Sequence, residues 1–204
     1  MTDSFKDHFS RGADAYRAFR PAYPDELFAW LAATAHTRQA ALDCGCGSGQ
    51  ASVALARHFA RVFAVDPSAA QIASAEPHPR VDYRVAPAEA TGLPDGSVDL
   101  VVAAQALHWF DFDRFWPEVR RVARPGALFA AFTYGLLAVD APVDRVLGHL
   151  YRDLLGPFWP PERRHVDDGY RSIPCPFPEV PAPAFSIRLD WSLDHLRGYL
   201  AVSY

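Results

Sequence analysis

Lysine is almost missing from this 204-residue chain: Lys6 is the only one, and arginine supplies the rest of the 20 basic residues. Acidic residues number 24, giving a formal net charge of −4, a balance that argues against a nucleic-acid backbone as partner. Cysteine is equally scarce. Cys44, Cys46 and Cys175 are too few and too badly spaced for a disulfide framework, which suits a reducing compartment. The chain has no uncharged apolar run of about eighteen residues or more, and its start, M-T-D-S-F-K-D-H-F-S, lacks the apolar segment of a signal peptide. These absences predict a soluble, cytoplasmic protein with no membrane partner. The histidines show no ligand spacing, so no metal is expected. Half of the residues are hydrophobic, enough for one sizeable core, and residues 1–204 read as a single domain.

Residues 40–50 read A-A-L-D-C-G-C-G-S-G-Q, the pattern of a buried strand turning sharply into a helix. Gly45, Gly47 and Gly49 alternate, so the backbone can take positive φ and approach a bound molecule, while the following helix offers free N–H groups. A dinucleotide site has its third glycine three residues after the second; here the gap is two. Asp43 stands at the strand end, where it would repel a pyrophosphate and welcome an ammonium or hydroxyl group. Cys44 and Cys46 are explained by small size within the turn.

The following segments alternate between two periods. Residues 51–60 read as a helix with Val53, Ala56, Phe59 and Ala60 toward a sheet. R-V-F-A-V-D-P-S is a second strand ending in Asp66, where a carboxylate can accept both hydroxyls of a ribose, with Pro67 beside it and Ser68 placed to cap the next helix. Residues 81–86 form a third strand and 98–104 a fourth, apolar nearly throughout and therefore buried on both faces. Beyond the fourth lie Gln105, His108 and Trp109, at the strand ends where ligands of doubly wound sheets bind. A helix over 113–123, with Pro117 tolerable only in its first turn, leads through Arg124-Pro125-Gly126 to a fifth strand over 127–134. Strands alternating with helices predict an α/β fold with a doubly wound, mostly parallel sheet. Residues 139–155 read as a helix, 185–191 as a sixth strand, and Ser192 as the cap of a last helix.

D-x-G-x-G-x-G resembles motif I of the class I methyltransferases that use S-adenosylmethionine. Y-R-A-F-R-P-A-Y-P before it, and A-Q-A-L-H-W-F-D after strand four, resemble the branch that includes the trans-aconitate methyltransferase-like proteins. The resemblance implies that Gly45, Cys46, Gly47 and Gly49 line the methionine portion of the cofactor, with Asp43 toward its amino group. It also implies that Asp66 takes the ribose and that Ala88 and Glu89 lie beside the adenine. Tyr16, Arg17, Arg20 and Tyr23 are then candidates for a lid, with Trp109 and Tyr134 beside the acceptor. His108 is the candidate base for a protonated acceptor, whereas a carboxylate acceptor would need none and could be held by Arg17 or Arg20.

The expected layout is an N-terminal lid and helix over 1–38, a cofactor core over 39–134, a cap insertion over 135–184, and the sixth strand and helix over 185–204. Family members continue past Gly198-Tyr199-Leu200 to a last antiparallel strand. The sheet is therefore expected to lack it, leaving an open edge for a second copy to cover. The expected activity is methyl transfer to a small-molecule acceptor. The rivals are a non-catalytic or truncated cofactor-binding domain and an NAD-dependent oxidoreductase; a base-modifying methyltransferase would carry a D/N-P-P-Y type motif that 104–109 lacks.

Overall fold

Short apolar runs separated by turn residues can pair in parallel only if the chain crosses back over the sheet between them. The computed structural model describes residues 19–203, and in it these runs become β1 (Ala40–Cys44), β2 (Arg61–Asp66), β3 (Val81–Val85), β4 (Val98–Ala104) and β5 (Ala123–Phe132). They form one sheet in the order β3-β2-β1-β4-β5, every pairing parallel. The helices are α1 (Asp25–Thr34), α2 (Gln50–Leu55), α3 (Ala69–Ala73), α4 (Phe112–Val122), α5 (Ala141–Gly148), α6 (Arg163–Asp167) and α7 (Leu193–Ser203). The order reverses beside β1, which puts a switch point between the ends of β1 and β4. Among the described residues no helix is long and apolar enough to cross a membrane.

Side chains alternate across each strand, and the two faces bury different partners. Leu42, Cys44, Phe63, Val65, Val101 and Ala103 pack with Phe115, Trp116 and Val119 of α4. Ala41, Val62, Leu100 and Val102 pack with Leu27, Phe28 and Leu31 of α1 and Leu55 of α2. Between β3 and β4 no helix forms, and a polar clamp holds the loop instead. The Thr91 N–H and hydroxyl donate to Glu118 Oε1 of α4 at 2.8 and 2.6 Å, and Arg121 donates to Leu93 O at 2.7 Å.

Several boundaries differ from the sequence reading. The helix expected over 51–60 ends at Leu55, and Ala60 faces solvent. Pro117 sits in the second turn of α4, which begins at Phe112, and burial of Phe115, Trp116, Val119 and Val122 offsets the backbone hydrogen bond that proline cannot make. Residues 139–155 divide into α5 and a π-helical stretch, His149–Leu154. Arg124-Pro125-Gly126 falls inside β5: between the pairs Val98↔Ala123 and Leu100↔Leu128 the register shifts, so these residues bulge out, and Arg124 donates to Asp99 Oδ1 at 2.8 Å. The sixth strand expected over 185–191 does not form. Phe185 packs on Trp30 at 6.0 Å between ring centroids, and the segment pairs with no strand of the described sheet.

Candidate functional site

The turn after β1 is held by its own backbone. Gly45 N–H and Cys46 N–H both donate to Val65 O, at 2.8 and 3.0 Å, which folds the loop over the end of β2, and Gly49 N–H closes on Cys46 O at 2.9 Å. Gly45, Gly47 and Gly49 all have positive φ, 67°, 53° and 88°. At Gly45 a side chain is excluded twice over, because an added Cβ would lie 2.6 Å from the Ala106 Cβ and 3.3 Å from the Phe110 ring. The glycine turn is thus packed directly on the segment that leaves β4.

Period-two alternation puts Asp43 on the face of Ala41 and Asp66 on the face of Val62 and Ala64, and these belong to the same side of the sheet. Asp66 is saturated at two points: its Oδ2 accepts from Gly47 N–H at 2.9 Å and its Oδ1 from Ser68 N–H at 2.8 Å. Ser68 also caps α3 by accepting from Gln71 N–H at 3.3 Å. Asp43 is wholly buried. Ser52 Oγ donates to its Oδ2 at 2.6 Å, while its Oδ1 has no hydrogen-bond partner among the described residues. Burial raises its pKa from 3.8 to about 7 against the Ser52 hydrogen bond, with the charge of Asp66 adding to the rise. A buried acceptor without a donor costs free energy unless something donates to it.

The residues fit S-adenosylmethionine in their chemistry: Asp43 Oδ1 would accept from its amino group, the Asp66 carboxylate would face its ribose hydroxyls, and the positive-φ glycines leave a backbone approach without side chains. Burial pushes both the Cys44 and Cys46 thiols up, so they serve as small neutral side chains. Pro67 is half-buried beside Asp66, and Ala88 is buried in the core. Glu89 spends one oxygen on Asp111 N–H at 2.8 Å, ahead of α4, which places it as a tie between the β3–β4 loop and that helix.

The end of β4 carries the other half of the site. Gln105 takes a left-handed conformation, φ 53°, unusual for a residue with a side chain. Its Nε2 donates to Tyr134 O at 2.9 Å and its Oε1 accepts from Thr133 Oγ1 at 2.5 Å, so the ends of β4 and β5 are locked together. His108 is buried and its Nδ1 lies 3.0 Å from the Tyr170 hydroxyl, with the half-exposed Trp109 ring 4.7 Å away. Burial first, then Arg163 and His165, lowers the His108 pKa to about 4. Burial raises that of Tyr170, which keeps the phenol protonated. Sequence reasoning missed Tyr170 and Ser52: Tyr170 lies in the aperiodic cap, whereas Ser52 could have been found from its place in the first turn of the helix behind Asp43.

Of the lid candidates, Tyr16 and Arg17 lie outside the described residues. Arg20 Nη1 donates to the Tyr134 hydroxyl at 3.0 Å, and the Tyr23 ring stands 5.0 Å from Phe132 and 6.1 Å from Tyr134. These contacts bring Arg20, Tyr23 and Tyr134 together at the end of β5. Among the described residues no group of three or more His, Cys, Asp or Glu side chains could hold a metal ion.

Residues 42–131 match the family model described as a methyltransferase domain. The chain is 36% identical over 199 residues to a Dictyostelium discoideum protein named as a methyltransferase, covering 96% of this chain and 76% of that one. A Mycobacterium bovis protein named as a methyltransferase is 39% identical over 130 residues, and there the match spans 53% of the relative's length. A solved structure from Anaeromyxobacter dehalogenans, described as a type II methyltransferase, superimposes with a TM-score of 0.84 at 62% identity, over 90% of this chain and 78% of that one. With its parallel sheet and acidic glycine turn, the chain belongs to the class I S-adenosylmethionine-dependent methyltransferases.

Proposed function

We propose that this protein transfers a methyl group from S-adenosylmethionine to a small-molecule acceptor by in-line displacement. The observation that carries the reading is the buried Oδ1 of Asp43, without a donor among the described residues, on the same side of the sheet as Asp66 and beside a turn built on three positive-φ glycines. When bound, the cofactor supplies an activated methyl whose sulfide is already a good leaving group. The protein's share is therefore alignment and exclusion of water. Asp43 and Asp66 would hold the two ends of the nucleoside amino acid. Gln105, fixed by Thr133 and Tyr134, would shape the floor toward the acceptor.

Thermal melts with S-adenosylhomocysteine and with NAD in parallel test this directly. A ligand at ~100 times its dissociation constant adds ~2.7 kcal/mol of stability. S-adenosylhomocysteine should give that shift and NAD should not; a shift with NAD alone refutes the reading.

His108 is neutral over the physiological range, so it can accept a proton, but a group with a pKa of about 4 is a weak base. A base works when unprotonated, so a His108-dependent kcat at saturating cofactor should stay flat from pH 8 downward and fall only as pH approaches 4. His108→Ala then decides its role: full activity at neutral pH would leave it as a packing partner of Tyr170 and Trp109.

A further inference from the structure

We propose that Tyr170 and Thr133 are positioning residues that fix the proton of His108 on Nδ1 and so leave the Nε2 lone pair for an acceptor that carries a proton. The proposal rests on the methyl-transfer reading and adds to it how the chain prepares the imidazole beyond β4. It follows from the direction in which a series of hydrogen bonds must run. Tyr134 O is a carbonyl and only accepts, so the Gln105 atom 2.9 Å from it is the amide Nε2, and Gln105 Oε1 is the atom 2.5 Å from Thr133 Oγ1. Oε1 also only accepts, so Thr133 spends its single hydroxyl proton there. Thr133 bonds the Tyr170 hydroxyl as well, and toward that partner it has only lone pairs left. Tyr170 therefore donates to Thr133, and its oxygen accepts from His108 Nδ1–H at 3.0 Å. The other lone pair of that oxygen faces the backbone at Leu107 and His108. A neutral imidazole has one N–H, and the bond made by one nitrogen decides the state of the other.

Backbone geometry marks the same series. Among the described residues Gln105 and Tyr170 are the two non-glycine residues with positive φ, 53° and 65°. A bulky residue holds that conformation only where its surroundings impose it. Tyr170 is buried in the core with Val166 and Ile173, so the loop after α6 delivers one hydroxyl to the residues that follow β4 and β5. Burial first, then Arg163 and His165 of α6, keep His108 neutral near physiological pH, and the Trp109 ring stands beside it. As a methyl bond forms to a hydroxyl or amine acceptor and the C–S electron pair leaves with the sulfide, the acceptor's proton passes to Nε2. Nδ1–H keeps its bond to Tyr170 throughout, so the ring need not turn.

The test uses the whole chain with isotopically labelled histidine and two-bond proton–nitrogen correlation spectra at about pH 7.5, the His108 signals being assigned by their loss in His108→Ala. The wild type should show Nδ1 protonated and Nε2 bare. Thr133→Val removes the acceptor of the Tyr170 proton, which should then turn to Nδ1 and invert the pattern, leaving the imidazole proton on Nε2. Thr133→Ser keeps the hydroxyl and should restore the wild-type pattern. Tyr170→Phe deprives Nδ1 of its partner and should give signals averaged over both tautomers. A wild-type ring protonated on Nε2, or a ring still fixed as Nδ1–H in either Thr133→Val or Tyr170→Phe, overturns the proposal. The S-adenosylhomocysteine melt is run on the same wild-type sample. A normal shift with the wrong tautomer overturns this assignment alone, and a missing shift overturns the methyl-transfer reading and the roles of Tyr170 and Thr133 with it.

Discussion

Asp43→Asn should weaken S-adenosylhomocysteine binding by about 10- to 100-fold at pH 8 while making the ligand-free protein more stable at that pH. The two effects have one origin. Wild-type Asp43 is buried with one oxygen unpartnered among the described residues, and its pKa is raised from 3.8 to about 7. The folded chain therefore holds the proton more tightly than the unfolded chain between those values. Stability is at its full value below 3.8 and falls as pH rises to about 7, by on the order of 2–4 kcal/mol. Asparagine carries no charge to desolvate, so the variant lacks that loss. A cationic amino group, in contrast, needs the ionised carboxylate, and a hydrogen bond to a charged group is worth about 1.5–3 kcal/mol. Affinity in the wild type should rise about tenfold per pH unit up to about pH 7 and then level, whereas the variant's should stay flat. Calorimetric titrations and melts from pH 5.5 to 8 read both quantities. A variant that is less stable and still binds with the wild-type pH profile would remove Asp43 from the cofactor site.

The distribution of legible and illegible features follows from where the physics is local. Residues 40–44 and 98–104 were readable as strands because each is a mostly apolar run, broken by Asp43 and Asp99, that ends in turn chemistry, and every residue of the two is buried except Ala104. The glycine turn was readable because alternate glycines after an acidic strand end have few other uses, and all three do take positive φ. Capping by Ser68 and Ser192 also followed from local chemistry, since each accepts from the N–H three residues on. What was not legible lies where tertiary contacts decide. Phe185 and Ile187 alternate with polar residues as a strand would, yet a strand also needs a paired neighbour, and the segment pairs with none in the described sheet. Glu89 reads from its place in the loop as a ligand for an exocyclic amine, and the fold adds that its Oε1 accepts from Asp111 N–H. His108 reads as a candidate base, and only the fold supplies the burial, with Arg163 and His165 nearby, that lowers its pKa to about 4.

Gly45→Ala and Gly47→Ala should separate the two jobs of the turn. Both residues have positive φ, 67° and 53°, so alanine at either pays about 1–2 kcal/mol for the left-handed backbone. They differ in surroundings. At Gly45 the new methyl meets Ala106 Cβ at 2.6 Å and Phe110 at 3.3 Å, and Ala106 cannot retreat without moving the segment after β4. Overpacking of this kind costs about 1–3 kcal/mol more, so Gly45→Ala should lose about 2–5 kcal/mol in all. At Gly47 the nearest atom is Gln71 Oε1 at 3.7 Å, an ordinary contact, so its loss should stay near the backbone cost alone. The Gly47 methyl, with only Gln71 Oε1 within 4 Å, should nonetheless crowd the turn on the side where the cofactor is proposed to approach, whereas Asp66 still accepts from the Gly47 N–H, which the substitution retains. Denaturant melts should rank Gly45→Ala well below Gly47→Ala in stability, and S-adenosylhomocysteine melts should show Gly47→Ala folded yet without a ligand shift. A Gly47→Ala protein that still binds as the wild type does would place the cofactor away from this turn.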